Sequence, residues 1–241
     1  MPSRRDLDRL NAAQRQLVAL ARADMQTLFA TLDPSRPEAF RDALLEIVPT
    51  LVREYGNLAA VAAAEWYEEV SPRAFLARTA DSTFPTVGVE QGVRYHAGAL
   101  FSDSPADALA GLSGALQRYI TYSGRATVAR NVQLDPSRPR FARVPSGART
   151  CAWCTLLASR GFVYLSRETA GIPGDDYHDD CDCQVTPMWD RSNAAIEGYD
   201  PDGMYDMYLQ ARDAAPNGSD RAIAATMREM FPDQFADGHV H

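Results

Sequence analysis

Apolar residues recur at helical intervals through the first third of the chain. Leu10, Leu17, Leu20, Leu28 and Phe29 fall between charged positions and mark residues 5–32 as one long amphipathic helix, closed by Asp33-Pro34. Ser35 and Glu38 then stand at capping-box spacing with Pro37 in the first turn, and Phe40, Leu44, Leu45 and Val48 trace a second apolar face. Pro49 lacks the backbone donor that the preceding turn requires, which predicts a kink or short break before residues 51–70 resume as helix. Over residues 71–103 the period weakens: Pro72, Pro85, Gly88, Gly92 and Gly98 interrupt it, so helices there should be short. Ser104-Pro105-Ala106-Asp107 is a helix start, with a capping hydroxyl, proline at the first helical position and an acid near the positive end of the helix dipole. Leu109, Leu112, Leu116, Tyr119 and Ile120 give that helix its buried stripe, and it is expected to reach about Ala129.

The pattern then changes character. Asp135-Pro136-Ser137-Arg138-Pro139 reads as an extended connection, which places a boundary near Asn131. Phe162-Val163-Tyr164-Leu165 is a short β-type run after Gly161, and Cys183-Gln184-Val185-Thr186 is its expected partner. Residues 204–214 and 220–230 form two short helices separated by Pro216-Asn217-Gly218. The fold class is therefore α+β, mainly α-helical. A helical N-terminal region spans 1–130, a small cysteine-rich α+β module 131–190, and an acidic helical tail 191–241.

Composition narrows the function. With 46% hydrophobic and 23% charged residues the chain reads as an ordinary folded protein. A formal net charge of −8 repels a phosphate backbone, so sequence-specific nucleic-acid binding is not expected. The one basic strip, with Arg138, Arg140, Arg143 and Arg149 around Phe141, reads as a solvated linker. No leader pattern follows the basic start, because Asp6 and Asp8 interrupt it. The apolar run at residues 58–64 is far short of the ~20 residues that cross a bilayer, so a soluble protein without a membrane partner is expected.

The candidate chemistry is concentrated in one stretch. Cys151-Ala152-Trp153-Cys154 is followed, after a spacer, by His178-Asp179-Asp180-Cys181-Asp182-Cys183. A CxxC pair holds two sulfurs on one side of a tight turn, and a second ligand pair from a distant hairpin completes a tetrahedron, the usual construction of a structural zinc site. Cys151, Cys154, His178, Cys181 and Cys183 are five candidates for four positions, and thiolate with imidazole suits zinc (Zn2+) rather than calcium or magnesium. Disulfides and free thiols stay open beside this reading. A catalytic zinc would need an open coordination position and a base; there is no HExxH, and Asp175, Asp176, Asp179, Asp180 and Asp182, which could supply a base, read instead as a loop that is solvated, braces the ligands from behind or attracts cations. His96 with Ser102 or Ser104 is the one nucleophile arrangement on offer, without a glycine elbow or oxyanion signature, and a surface or packed histidine is the simpler reading. His239 and His241 stand at a terminus, and Trp66-Tyr67 reads as an aromatic core anchor.

The order CxxC, a spacer holding Gly161 and Tyr164, then HxxCxC resembles the C-terminal motif of phage Mu protein F-like minor head proteins. Leu51-Val52-Arg53-Glu54-Tyr55-Gly56, the alanine run and Glu65-Trp66-Tyr67 look like the N-terminal helical region of actinobacteriophage versions of that family. The resemblance covers about half the chain. It implies a structural protein of head morphogenesis in a tailed double-stranded DNA phage, placed near the portal or inside the procapsid. Its partners would then be portal and capsid or scaffold proteins, and its location the virion head, with the host cytoplasm during assembly. It carries Cys151, Cys154, His178, Cys181 and Cys183 over as motif positions. Asp179, Asp180 and Asp182 depart from it, since the family often places a proline and a basic residue there. Some relatives of this architecture are labelled capsid maturation proteases, which keeps an enzymatic alternative, or a zinc-dependent hydrolase or nuclease, beside the structural one.

Overall fold

The computed structural model describes residues 2–80, 84–166, 181–190 and 195–237. Four helices form its larger part: α1 (Arg4–Thr31), α2 (Pro37–Val70), α3 (Thr86–Ala97) and α4 (Ala106–Leu134). In α1 the buried apolar positions are Leu7, Leu10, Val18, Ala21 and Met25, a stripe at helical spacing, while Leu20 lies on the solvent side. The capping box sits at the start of this helix. Ser3 Oγ accepts from the Asp6 N–H at 3.3 Å and Asp6 Oδ2 from the Ser3 N–H at 2.8 Å, a pairing worth about 1 kcal/mol. The box expected at Ser35 and Glu38 does not form. The Ser35 hydroxyl instead donates to Asp33 Oδ1 at 2.7 Å in the turn between the helices, and Arg36 takes the cap position.

Pro49 does not break α2, contrary to the sequence expectation. Leu44, Val48 and Val52, all at most 1% exposed, continue in phase across it, so burial on both sides holds the helix through the missing donor. In α3, Gly92 allows close approach to α4, because a Cβ there would overlap the Tyr119 hydroxyl. A 3-10 turn, Gly98–Phe101, leads on to α4, where the Asp107 N–H bonds the Ser104 carbonyl and the Ser104 hydroxyl makes no cap. α4 is the central helix. It runs beyond Ala129 to Leu134, with Tyr119, Ile120, Val128 and Val132 buried on its faces.

The strand pairing differs from the expected one. β1 (Arg140–Val144) pairs antiparallel with β2 (Gln184–Met188), in a register that sets Phe141 opposite Pro187 and Val144 opposite Gln184. The strip read as a solvated linker is thus a strand with Phe141, Ala142, Arg143 and Val144 all buried. The segment around Tyr164 does not pair with β2; Tyr164 bridges Phe141 on the other edge of β1, exchanging N–H···O bonds of 2.9 and 3.1 Å. With the polar backbone groups of Phe141 spent on Tyr164, no donor is required of Pro187 across the ladder.

The tail helices lie close to the expected ranges: α6 (Pro201–Ala214) and α7 (Asp220–Met230), with Asp200 and Ser219 as side-chain caps. They pack on α5 (Ala152–Ala158) through Leu156, Leu157, Ala211, Ile223, Met227 and Phe235. A separate core cluster joins Leu7 of α1, Tyr67 of α2 and Val132 of α4 to both strands and to Ile196 and Tyr199. Among the described residues, no helix is long and apolar enough to cross a membrane.

Asp135, only 4% exposed, ties three of these parts together: Oδ2 accepts from the Tyr67 hydroxyl at 3.1 Å and from Trp189 Nε1 at 2.9 Å, and Oδ1 from the Ser137 N–H at 2.8 Å. Asp135→Ala leaves those donors without an acceptor and should cost about 3 kcal/mol in urea unfolding, against about 1 kcal/mol for Tyr67→Phe. Equal effects of the two changes would show that the carboxylate is not the hub.

Candidate metal centre

All four cysteines are buried and form one cluster, with relative exposures of 4% or less. Cys151 caps α5 and its Sγ accepts from the Cys154 N–H at 3.1 Å, so the CxxC segment is shaped by a helix start. Cys181 and Cys183 lie just before β2, and the CxC pair brings its two sulfurs to within 3.4 Å of each other. The three sulfurs of Cys154, Cys181 and Cys183 are separated by 3.2, 3.5 and 3.4 Å.

Asp182 faces the opposite way. Its carboxylate accepts from the Gly147 N–H at 2.7 Å and the Thr150 hydroxyl at 2.6 Å, and its carbonyl from the Ser146 hydroxyl at 2.6 Å. The acid expected in a solvated loop is in fact the clamp that holds residues 146–150 beside the cluster. The backbone of Cys181 is fixed from α4, where Gln117 Nε2 and Arg125 Nη2 donate to its carbonyl at 2.9 and 2.6 Å. His178 lies outside the described residues, as do Asp175, Asp176, Asp179 and Asp180.

Arg143 is the functional residue that sequence reasoning missed. It is 1% exposed, and its Nε and Nη2 donate to Cys183 Sγ at 3.3 and 3.2 Å, with Nη2 also 3.9 Å from Cys154 Sγ and 4.0 Å from Cys181 Sγ. A guanidinium keeps its proton in a protein, so a permanent positive charge adjoins the sulfurs and favours their ionised form. The Cys154 and Cys183 thiols hydrogen-bond toward Cys181 and, with the nearby Arg125 and Arg143 charges, hold the Cys181 thiol well below its ordinary value, so the negative charge gathers there, while the bonds to Cys151 and Cys181 push Cys154 well up and burial pushes Cys183 well up. Arg140-Phe141-Ala142-Arg143-Val144 carries no period-two alternation, because residues 141–144 are all buried, so its charges gave the strand no signal.

The donor set fits a thiophilic ion. Tetrahedral zinc with bonds of about 2.3 Å needs sulfurs about 3.8 Å apart, so the observed triangle would open by only a few tenths of an ångström. Cys154, Cys181 and Cys183 are mutually in reach of one ion, and Cys151 of the same cluster stands next to them. His96 packs its ring against α4, where a Cβ on Gly111 would overlap Nδ1, and the Ser102 hydroxyl donates to the Ala99 carbonyl at 2.8 Å.

Fold and site together define a mainly α-helical protein whose strands and tail close around a buried thiol centre. Within that class, the chain belongs to the VG15 protein family, whose model matches residues 1–211. It is similar to the Gene 15 protein of Mycobacterium phage D29, at 32% identity over 38% of this chain and 44% of that protein. The Gene 15 protein of Mycobacterium phage L5 is 31% identical over the same shares. The chain thus matches less than half the length of these relatives. No solved structure matches it.

Burial of every sulfur predicts shielded chemistry. In the native protein the four cysteines should react with a disulfide reagent at least ~100-fold more slowly than in urea, because attack requires exposure of a thiolate. Fast labelling of any cysteine in the folded state would contradict the buried cluster.

Proposed function

We propose that this chain is a minor structural protein of a tailed-phage head, acting near the portal or inside the procapsid, and that its cysteine centre holds one structural zinc. The observation that carries the zinc reading is the convergence of three buried sulfurs with a charge-compensating arginine beside them. Membership of a family with mycobacteriophage relatives supports the phage setting. The Mu protein F-like motif order supports the narrower assignment to head morphogenesis, with portal and capsid or scaffold proteins as partners. Cys154, Cys181 and Cys183 would hold the ion, with the fourth position taken by Cys151 or His178. The ion would supply a fixed cross-link between α5 and the entry to β2, a structural rather than a catalytic role. No set of nucleophile, base and oxyanion donors supports the protease alternative equally well among the described residues.

Untagged protein should carry about one zinc per chain and release it to a chelator together with its thiols. Cys154→Ser should abolish stoichiometric zinc and lower the unfolding midpoint. Arg143→Leu should weaken zinc about 10–100-fold with the thiols intact, as loss of a partner to the ligands does in other zinc sites. Metal-free wild-type protein with full stability would end the zinc reading. The head assignment is tested separately: particles made with Cys154→Ser should lack the protein or fail to mature, and purified wild-type virions without this chain would end it.

A further inference from the structure

The four cysteines are not held alike. Cys154 lies inside α5, Cys183 leads directly into β2, and the Cys181 carbonyl is anchored to α4 through Gln117 and Arg125. Cys151 precedes α5, and the residues on either side of it are both gripped by the tail. On one side, Thr150 forms a parallel bridge with Phe235, and its carbonyl accepts from the Ala236 N–H at 2.9 Å. On the other, the Ala152 N–H donates to Asp237 Oδ1 at 2.9 Å. The opening N–H groups of a helix have no partner within it, and for this one α5 draws its acceptor from the tail.

The grip is well placed and small in extent. Of residues 232–237 only Phe235 is buried, in one cluster with Ala152, Leu156 and Leu157 of α5 and Ile223 and Met227 of α7. One isolated bridge stands where a longer strand would offer a ladder. Asp237 is aimed by Arg228 of α7, whose Nε donates to Oδ2 at 2.6 Å, and both side chains are partly open to solvent. A segment held by one apolar side chain, one backbone bond and one clasp is of the kind that opens without global unfolding. The four cysteines fall within residues 1–211, which the family model matches, and residues 232–237 fall outside them.

We propose that residues 232–237 are a latch that holds Cys151 beside the other three sulfurs and controls access to the centre. Closed, the latch fixes both flanks of Cys151, and all four sulfurs are covered. Released, it frees residues 150–152, while Cys154, Cys181 and Cys183 keep the contacts that hold them together. Asp237 is then a positioning residue, acting on Cys151 through the backbone of Ala152. The latch itself needs no metal. One consequence rests on the zinc reading: the latch would set how readily the ion exchanges.

Iodoacetamide alkylation of the full chain, with the label at each cysteine read by mass spectrometry, tests this. Asp237→Ala should speed alkylation of Cys151 at least ~10-fold over wild type, with a smaller effect on Cys154, Cys181 and Cys183. Asp213→Ala, which removes an exposed partner of Arg212, should change nothing. Circular dichroism confirms that each variant is folded; if Asp237→Ala is not, Asp237→Asn carries the test, since it keeps an acceptor for Ala152 and loses the charge facing Arg228. In wild type, hydrogen exchange at Ala152 and Ala236 should run ahead of that at Ser159, whose N–H is bonded to Thr155 of α5. A chelator should also take zinc from the Asp237→Ala protein at least ~10-fold faster than from wild type. Protein without zinc would end the metal reading, while alkylation still decides the latch. Unchanged Cys151 alkylation in a folded variant, an equal rise at all four cysteines, or equal protection of those three amides overturns the proposal.

Discussion

A guanidinium that cannot shed its proton lies 1% exposed against three sulfur atoms, and the strands and tail are arranged to make that contact tolerable. Removing an ion from water costs several kcal/mol, recovered only by opposite charge and well-formed hydrogen bonds. The sulfurs supply both when they carry negative charge. To deliver Arg143 there, β1 must be interior, and an interior strand needs partners on both edges. β2 provides one, and Tyr164 provides the other through two bonds to Phe141. The tail then covers the start of α5, where Asp237 accepts from the Ala152 N–H at 2.9 Å and pairs with Arg228 at 2.6 Å. The thiol centre is therefore shaped by contacts from four separate stretches of chain.

The helices were legible in the sequence because their information is local. Capping residues, apolar spacing and the Pro216–Gly218 break located α6 and α7 to within a few residues, and α1 to within one. Pro49 and Ser35 misled for different reasons: burial overrides the first signal, and a competing local hydrogen bond diverts the second. The missing donor at Pro49 is outweighed by Leu44, Val48 and Val52, and the Ser35 hydroxyl prefers Asp33 in a tight turn. Gly88 and Gly92 read as interruptions, yet α3 runs through both, since at Gly92 the absent side chain is what lets it lie against Tyr119.

β2 was legible in Cys183-Gln184-Val185-Thr186, but its partner β1 was not, and the cause is instructive. Arg140 and Arg143 made β1 look like a surface strip, because the usual rule that charge is exposed fails where an arginine such as Arg143 has dedicated sulfur partners far away in sequence. Of the site itself, the four cysteines were visible from spacing, and their convergence is a property of the fold. Asp182 and Arg143 were not visible as parts of it, since their partners, residues 147–150 and the sulfurs, are brought near only by the β1–β2 pairing.

The same arrangement sets what loss of a structural ion would do. Zinc binding contributes on the order of 10 kcal/mol to folding in small zinc domains, comparable to the whole stability of an ordinary domain. Here the ligand-bearing segments do not stand alone. Val185 and Met188 of β2 share a core with Leu7, Tyr67 and Val132, and α5 is packed beneath the tail helices. Much of the order that an isolated zinc module would draw from its metal is thus already provided by apolar burial. On the zinc reading, the ion's larger effect falls on the Cys181–Cys183 segment ahead of β2, which carries two of its ligands. Opening of that segment would uncover the sulfurs and release the Cys181 carbonyl from Gln117 and Arg125, while the helical body stays folded.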